Sequence, residues 1–125
     1  MTIWTSDELN RIGKAEELQI GSLRRDGTLR NAVTIWVVRV GDDLYIRSVY
    51  GRGSAWFRGT QVRHRGHIEA SGVRKDVEFP DPEPSIADAL DAEYRSKYRR
   101  HGSQYVDPMV SPKARAATLK LMPYT

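Results

Sequence analysis

The sequence predicts a mainly β (α+β) fold: a six-stranded antiparallel barrel with two main helices and one short helix packed outside it. Two observations carry this. Stretches of period-two alternation follow one another directly, separated by tight turns such as Asp26-Gly27 and Gly41-Asp42-Asp43. Strong helix-start signatures fall at only two places, near the beginning and just after the proline-rich segment 80–84. The 125 residues are enough for one domain, 1–125, with a core of its own.

Residues 4–17 read as the first helix. Thr5 and Glu8 form a capping box, Trp4 and Leu9 a hydrophobic staple, and Leu9 with Ile12 a narrow apolar stripe. Residues 18–23 alternate as a first strand, and Asp26-Gly27 supplies the positive φ that a type I′ hairpin turn needs. The second strand, 29–40, is the longest. Val33, Ile35 and Val37 share one face, and Ala32, Trp36 and Val38 the other, so this strand is expected to be central and covered on both sides. In the third strand, 44–49, Leu44, Ile46 and Ser48 face one way and Tyr45, Arg47 and Val49 the other.

The loop 50–53 leads to Ser54, a predicted N-cap, and a helix of one or two turns through Trp56 to about residue 60. Residues 67–70 and 73–79 pair as a half-exposed hairpin through Ser71-Gly72. After the proline connector, Ser85 and Asp88 open the second long helix. Ile86, Ala89, Leu90, Tyr94 and Tyr98 trace its apolar face, and Gly102 ends it. A looser stretch interrupted by Pro112 precedes the last strand, 118–122.

Composition narrows the chemistry. The formal net charge of +4 favours anionic partners. The absence of cysteine excludes disulfides, thiolate catalysis and cysteine-ligated metals, and fits a cytoplasmic protein. No apolar run approaches the roughly 20 residues of a membrane-spanning helix, and the N-terminus lacks the pattern of a signal peptide. His64 and His67 have no acidic cluster to complete a ligand set, so no metal site is expected. Walker A, Rossmann and Gly-x-Ser-x-Gly patterns are all missing. Any enzyme chemistry would therefore come from a bound cofactor.

One stretch stands out. Ser48, Gly51, Gly53 and Ser54 lie in or beside a loop that runs straight into Trp56 and Phe57, with Arg47, Arg52 and Arg58 around them. Small residues let a backbone approach a ligand, hydroxyls and helix N-termini donate hydrogen bonds, and arginines grip phosphate bidentately. The loop is read as the docking place of a phosphorylated cofactor; the competing reading is an ordinary turn. Trp36 and Trp56 fit core or interface positions as well as a cofactor wall. Tyr94 and Tyr98, one helical turn apart, fit amphipathic packing or, together with Tyr50, the role of proton donor or positioner.

The run Ser48-Val49-Tyr50-Gly51-Arg52-Gly53-Ser54-Ala55-Trp56-Phe57-Arg58 resembles the strand-loop-helix of the flavin-binding split-barrel superfamily. That group includes pyridoxamine phosphate oxidases and deazaflavin-dependent nitroreductases. Arg25-Asp26-Gly27-Thr28-Leu29-Arg30, Ile35-Trp36-Val37-Val38-Arg39, Tyr45-Ile46-Arg47-Ser48 and Tyr94-Arg95-Ser96-Lys97-Tyr98 resemble an uncharacterised domain-of-unknown-function family within it. The resemblance implies a split barrel with a cofactor, flavin mononucleotide (FMN) or a deazaflavin, in a groove at a homodimer interface. It places Ser48, Gly51 and Ser54 near the phosphate, Arg47, Arg52 or Arg58 against its charge, and Trp36 and Trp56 beside the ring. Two positions depart. Trp56 stands where the oxidases commonly have lysine, and Ala55 where the nitroreductases commonly have proline, which leaves FMN, a deazaflavin or no cofactor open.

The leading functional expectation is an oxidoreductase that transfers hydride to a small organic acceptor. The alternative is a non-catalytic dimeric small-molecule-binding module on the same barrel. Nucleic-acid binding is permitted by charge, but the aromatics fall in strand patterns and no RNA-binding signature occurs.

Overall fold

The computed structural model describes residues 3–124. Its elements run α1 (Ser6–Lys14), β1 (Leu18–Ser22), β2 (Val33–Ile35), β3 (Val38–Val40), β4 (Asp43–Arg47), α2 (Ala55–Arg63), β5 (Arg65–Ala70), β6 (Val73–Glu78), α3 (Ala87–Lys97), α4 (Ser103–Val106), α5 (Pro112–Ala116) and β7 (Thr118–Pro123). Short 3₁₀ turns sit at Gly51–Gly53, Pro84–Ile86, Arg99–His101 and Asp107–Val110. The strands form one antiparallel sheet in the order β2-β1-β5-β6-β7-β4-β3. β2 and β3 are joined by only Trp36 and Val37 yet sit at opposite ends of that order. So short a link requires the two edges to be close, so the sheet curls into a barrel that is split along this seam.

The seam corrects two expectations. There are seven strands and not six, because the expected strand 29–40 breaks at Trp36–Val37. The cause lies on α3. The Tyr98 hydroxyl accepts from the Val37 N–H at 3.1 Å and lies 3.0 Å from the Val37 carbonyl. Lys97 Nζ donates to the same carbonyl at 2.6 Å. Side chains thus take the backbone groups that a continuous ladder would have used. Nor is the first half of the stretch covered on both sides: β2 is an edge strand with Val33 and Thr34 exposed.

Other elements follow their local chemistry. The Thr5 hydroxyl accepts from the Glu8 N–H at 3.1 Å, and the Glu8 carboxylate accepts from the Thr5 N–H at 2.9 Å, the reciprocal cap of α1. Leu9 and Ile12 bury its inner face, and Trp4 Nε1 donates to the Leu121 carbonyl at 3.0 Å, tying α1 to β7. In the stretch expected to be loose, Ser111 caps α5 by accepting from the Ala114 N–H at 3.2 Å, and Pro112 starts that helix instead of breaking it. Besides the three helices expected, α4 and α5 are therefore formed.

Two apolar clusters result. The first fills the barrel with Ile12, Leu18, Ile46, Phe57, Ile68 and Leu119 among others. The second lies between the outer sheet face and α3, with Val38, Tyr45, Leu90, Tyr94 and Tyr98. α2 closes the barrel on one side and α3 covers it on another. No helix among the described residues is long and apolar enough to cross a membrane.

Candidate functional site

The predicted cradle divides between these two sides. Alternation along β4 sends Tyr45 and Arg47 toward α3, and Ser48 goes the other way. Arg47 is 2% exposed, and its guanidinium is fully engaged. It donates to Asp91 at 2.6 Å, to the Thr118 hydroxyl at 3.0 Å, and to the Met109 and Ala87 carbonyls at 3.0 and 3.3 Å. A phosphate could reach it only by displacing Asp91, so the expected phosphate contact at Arg47 is replaced by a structural ion pair.

Ser48 and Ser54 meet, Oγ to Oγ at 2.7 Å. Ser54 is the N-cap of α2 by position, but its hydroxyl bonds Ser48, not the helix. The first turn of α2 carries no acidic residue of its own to meet the positive end of its dipole. Gly51 adopts φ +83°, and a Cβ on it would stand 2.5 Å from Lys113 Cγ. The positive φ, together with that close approach, favours glycine here whether or not a ligand is bound. Arg52 is exposed; it donates to the Ala116 carbonyl at 3.0 Å and lies over the Phe57 ring at 5.1 Å. Arg58 is exposed on α2.

Trp36 is not beside Trp56. It stacks on Tyr98 with ring centroids 3.9 Å apart and planes 1° from parallel, on the α3 side. Trp56 packs against the barrel cluster and, edge-on, against Phe57. Of the tyrosines, Tyr50 is 79% exposed, whereas Tyr94 and Tyr98 are buried under α3. Burial pushes both phenols upward; the guanidinium of Arg47 opposes this at Tyr94 and the Val37 backbone opposes it at Tyr98. The structure thus brings Ser48, Gly51, Arg52, Ser54, Trp56 and Arg58 into one loop-helix unit and leaves Trp36, Arg47, Tyr94 and Tyr98 on another face. Among the described residues no group of three His, Asp or Glu side chains could hold a metal ion.

A cleft of about 270 Å³ opens beside that unit, between α2 and the β1–β2 hairpin. Ala55, Trp56 and Thr60 line it from α2, and Ile20, Ser22, Arg24, Arg30, Asn31 and Val33 from the hairpin. The sequence reading missed the hairpin side. Arg30 Nε is buried without a hydrogen-bond partner. A Cβ on Gly59 would stand 2.7 Å from Ser22 Oγ and 3.0 Å from Arg30 Nε, so this glycine is what admits the arginine. A signal did exist: Ala55, Gly59 and Arg63 recur every four residues, a helix face with little bulk and a terminal charge. An arginine with an unmatched donor, hydroxyls and one indole wall make an anion-accepting cleft with an aromatic side. Among the lining residues no nucleophile–base pair is present.

A family model described as "Uncharacterized protein conserved in bacteria (DUF2255)" matches residues 8–121. No curated protein matches the sequence. Among solved structures the chain is similar to an F420 reductase, at 12% identity and TM-score 0.58, over 94% of this chain and 93% of that one. It is similar to an FAD-binding protein from Mesorhizobium loti, at 13% identity and TM-score 0.61, over 100% and 93%. It is also similar to HutZ, a haem storage protein from Vibrio cholerae, at 14% identity and TM-score 0.64, over 100% and 92%. At these identities the likeness shows the fold alone, a split antiparallel barrel.

Proposed function

We propose that this chain, which belongs to the uncharacterised bacterial DUF2255 family, binds a flavin or deazaflavin in the cleft between α2 and the β1–β2 hairpin and passes hydride to a small organic acceptor. The observation that carries this reading is Arg30: a cationic side chain whose Nε is buried, unpartnered and aligned with Gly59 at the cleft. A buried donor without an acceptor costs about 1–3 kcal/mol, and an anionic ligand group would remove that cost. Two proteins of similar structure, an F420 reductase and an FAD-binding protein, support the same cofactor class.

In this reading Arg30 pairs with the cofactor phosphate. The free N–H groups that open α2 donate to it, and the Ser48–Ser54 hydroxyl pair holds the N-cap in place. Trp56 walls the ring, and Ser22 and Thr60 supply hydroxyls along the cleft. When bound, the flavin or deazaflavin supplies the hydride; the protein binds, orients and excludes water. We read the working form as a homodimer, supported by Leu29 and Val33, which are 47% and 38% exposed on the hairpin beside the cleft.

The test is titration of the purified protein with FMN and with a deazaflavin, followed by fluorescence. Binding of at least one is expected, with Arg30→Ala weakening it about tenfold or more, that is, by about 1.4 kcal/mol or more. Absence of binding by both cofactors removes this reading.

A further inference from the structure

A second cleft, of about 250 Å³, lies where α1, β3 and α3 meet, and none of its lining residues belongs to the cleft beside α2. Asn10, Gly13 and Lys14 line it from α1, Arg39 from β3, and Glu93 and Lys97 from α3. Glycine is unfavourable in the interior of a helix, and packing explains Gly13. A Cβ there would stand 3.2 Å from Arg39 Cδ and 3.3 Å from Arg39 Cβ. Without one, Arg39 lies against α1, where its Nη1 donates to Asn10 Oδ1 at 2.9 Å and its Nε to the Gly41 carbonyl at 2.7 Å.

Lys97 differs from the other lysines. Lys75 pairs with Glu8, and Lys120 with Asp43 and Glu83. Lys14 and Lys113 are exposed. Lys97 is half-buried, and among the described residues no carboxylate pairs with it. Its Nζ donates to the Val37 carbonyl at 2.6 Å and lies 5.1 Å from the centre of the Tyr98 ring. Glu16 is taken up by Arg100 and His101, and the cleft adds two more cations, Lys14 and Arg39, against the one lining carboxylate, Glu93. Burial and neighbouring cations both favour a neutral amine. Burial draws the Lys97 ammonium down to about 8, against Glu16 and Glu93. Relative to an ordinary lysine, that raises the neutral fraction near pH 7 on the order of a hundredfold. A neutral amine keeps its bond to Val37 through one N–H and still offers its lone pair. A lysine that served only to tie the seam would do so better charged, because a charge-assisted hydrogen bond is about twice as strong.

We infer that Lys97 is a nucleophilic amine and that this cleft takes a small 2-oxo acid, whose carboxylate meets Lys14 and Arg39 while its oxo carbon forms an imine with Lys97 Nζ. The nitrogen lone pair makes the C–N bond. The oxo oxygen takes up both amine protons and leaves as water, so the step needs neither oxidant nor reductant. Glu93, on the wall of the same cleft, relays those protons. The inference is independent of the flavin reading.

The whole protein is incubated near pH 7 with glyoxylate and, separately, with acetaldehyde. Cyanoborohydride traps any imine, and peptide mass spectrometry locates the labelled lysines. Glyoxylate is expected to label Lys97 about tenfold or more faster than Lys75. The Lys97 rate levels off above about pH 8, whereas that of Lys75 keeps rising. Lys14→Ala slows glyoxylate labelling of Lys97 about threefold or more. It leaves the acetaldehyde rate at Lys97 within about twofold, which also shows that the variant is folded. Labelling of Lys97 at the pace of Lys75 overturns the inference. So does a Lys97-to-Lys75 ratio no higher with glyoxylate than with acetaldehyde, since the cleft would then select no acid. Neither result bears on flavin binding.

Discussion

The α3 side and the α2 side of the barrel each bury arginine nitrogen, and they use it in opposite ways. On the α3 side Arg47 lies 5.4 Å from the Tyr94 ring, and an acceptor meets each of its three nitrogens. On the α2 side Arg30 Nε has no acceptor although it is buried. The first arrangement is complete without a ligand. The second leaves one donor without an acceptor, the place our proposed ligand would fill. Residue type does not separate a structural arginine from a binding one; the presence of a matched acceptor does.

Removing each arginine should expose that difference. Arg47→Met strips Asp91 of its buried partner and leaves three backbone or hydroxyl acceptors unmet. It is expected to lower unfolding stability by about 3 kcal/mol, the low end for a broken buried pair, because Arg115 remains 3.7 Å from Asp91. Arg30→Ala relieves the cost of an unmatched donor but also loses the packing of the side chain's methylenes, so the ligand-free protein is expected to be unchanged or stabilised by up to about 1 kcal/mol. Urea unfolding measures both. Equal losses in the two variants would mean that the faces do not differ in kind.

Much of the fold was legible in the sequence because its signals are local. The capping box of α1, the place of the turn at Asp26-Gly27 and the faces of β4 and β7 each depend on neighbours a few residues away. Of that dipeptide, however, only Gly27 takes a positive φ, +91°, and its N–H donates to the Arg24 carbonyl at 2.9 Å, so the expected type I′ form is not adopted. The seam at Trp36–Val37 was not legible. It is made by Tyr98 and Lys97, about sixty residues along the chain. The site was half legible for a related reason. The loop-helix unit is contiguous, whereas Arg24 and Arg30 reach the cleft only when the hairpin docks on α2. Arg47 was assigned to the cradle by nearness along the chain, although the strand period already put it on the opposite face from Ser48.

The α3 side can also be sharpened by pH. Burial draws the Lys97 ammonium down from 10.5 to about 8, against the carboxylates of Glu16 and Glu93. Between those values the unfolded chain binds more protons than the folded one, so stability rises as pH increases through that window. The cost of the buried charge is fully present below about pH 8. The gain is roughly 1–2 kcal/mol once partial solvent exposure is allowed for. The Tyr45 phenol, pushed up to about 12 by burial and by Asp43 and Glu83, works in the opposite direction above pH 10.0. The informative range is therefore about pH 8 to 10. Lys97→Met should flatten the slope there in denaturant midpoints, and an unchanged slope would assign the titration to another group.

The smallest effect is expected at Arg58, and it tests whether position on α2, not charge alone, defines the cleft. Arg58 and Arg63 are both exposed arginines on the same helix. At 3.6 residues per turn, Arg58 lies roughly 100° around the helix from Gly59 and roughly 140° from Arg63, off the centre of the side that Ala55, Gly59 and Arg63 share. It also sits in the first turn, where a cation opposes the dipole, so its loss should cost no helix stability. Arg58→Ala is therefore expected to leave flavin affinity within about twofold at low salt, a long-range effect of one screened charge. Arg30→Ala weakens the same binding tenfold or more on the reading above. If the two variants lose affinity equally, the ligand senses only the net charge of this face, and the cleft between α2 and the hairpin is not its seat.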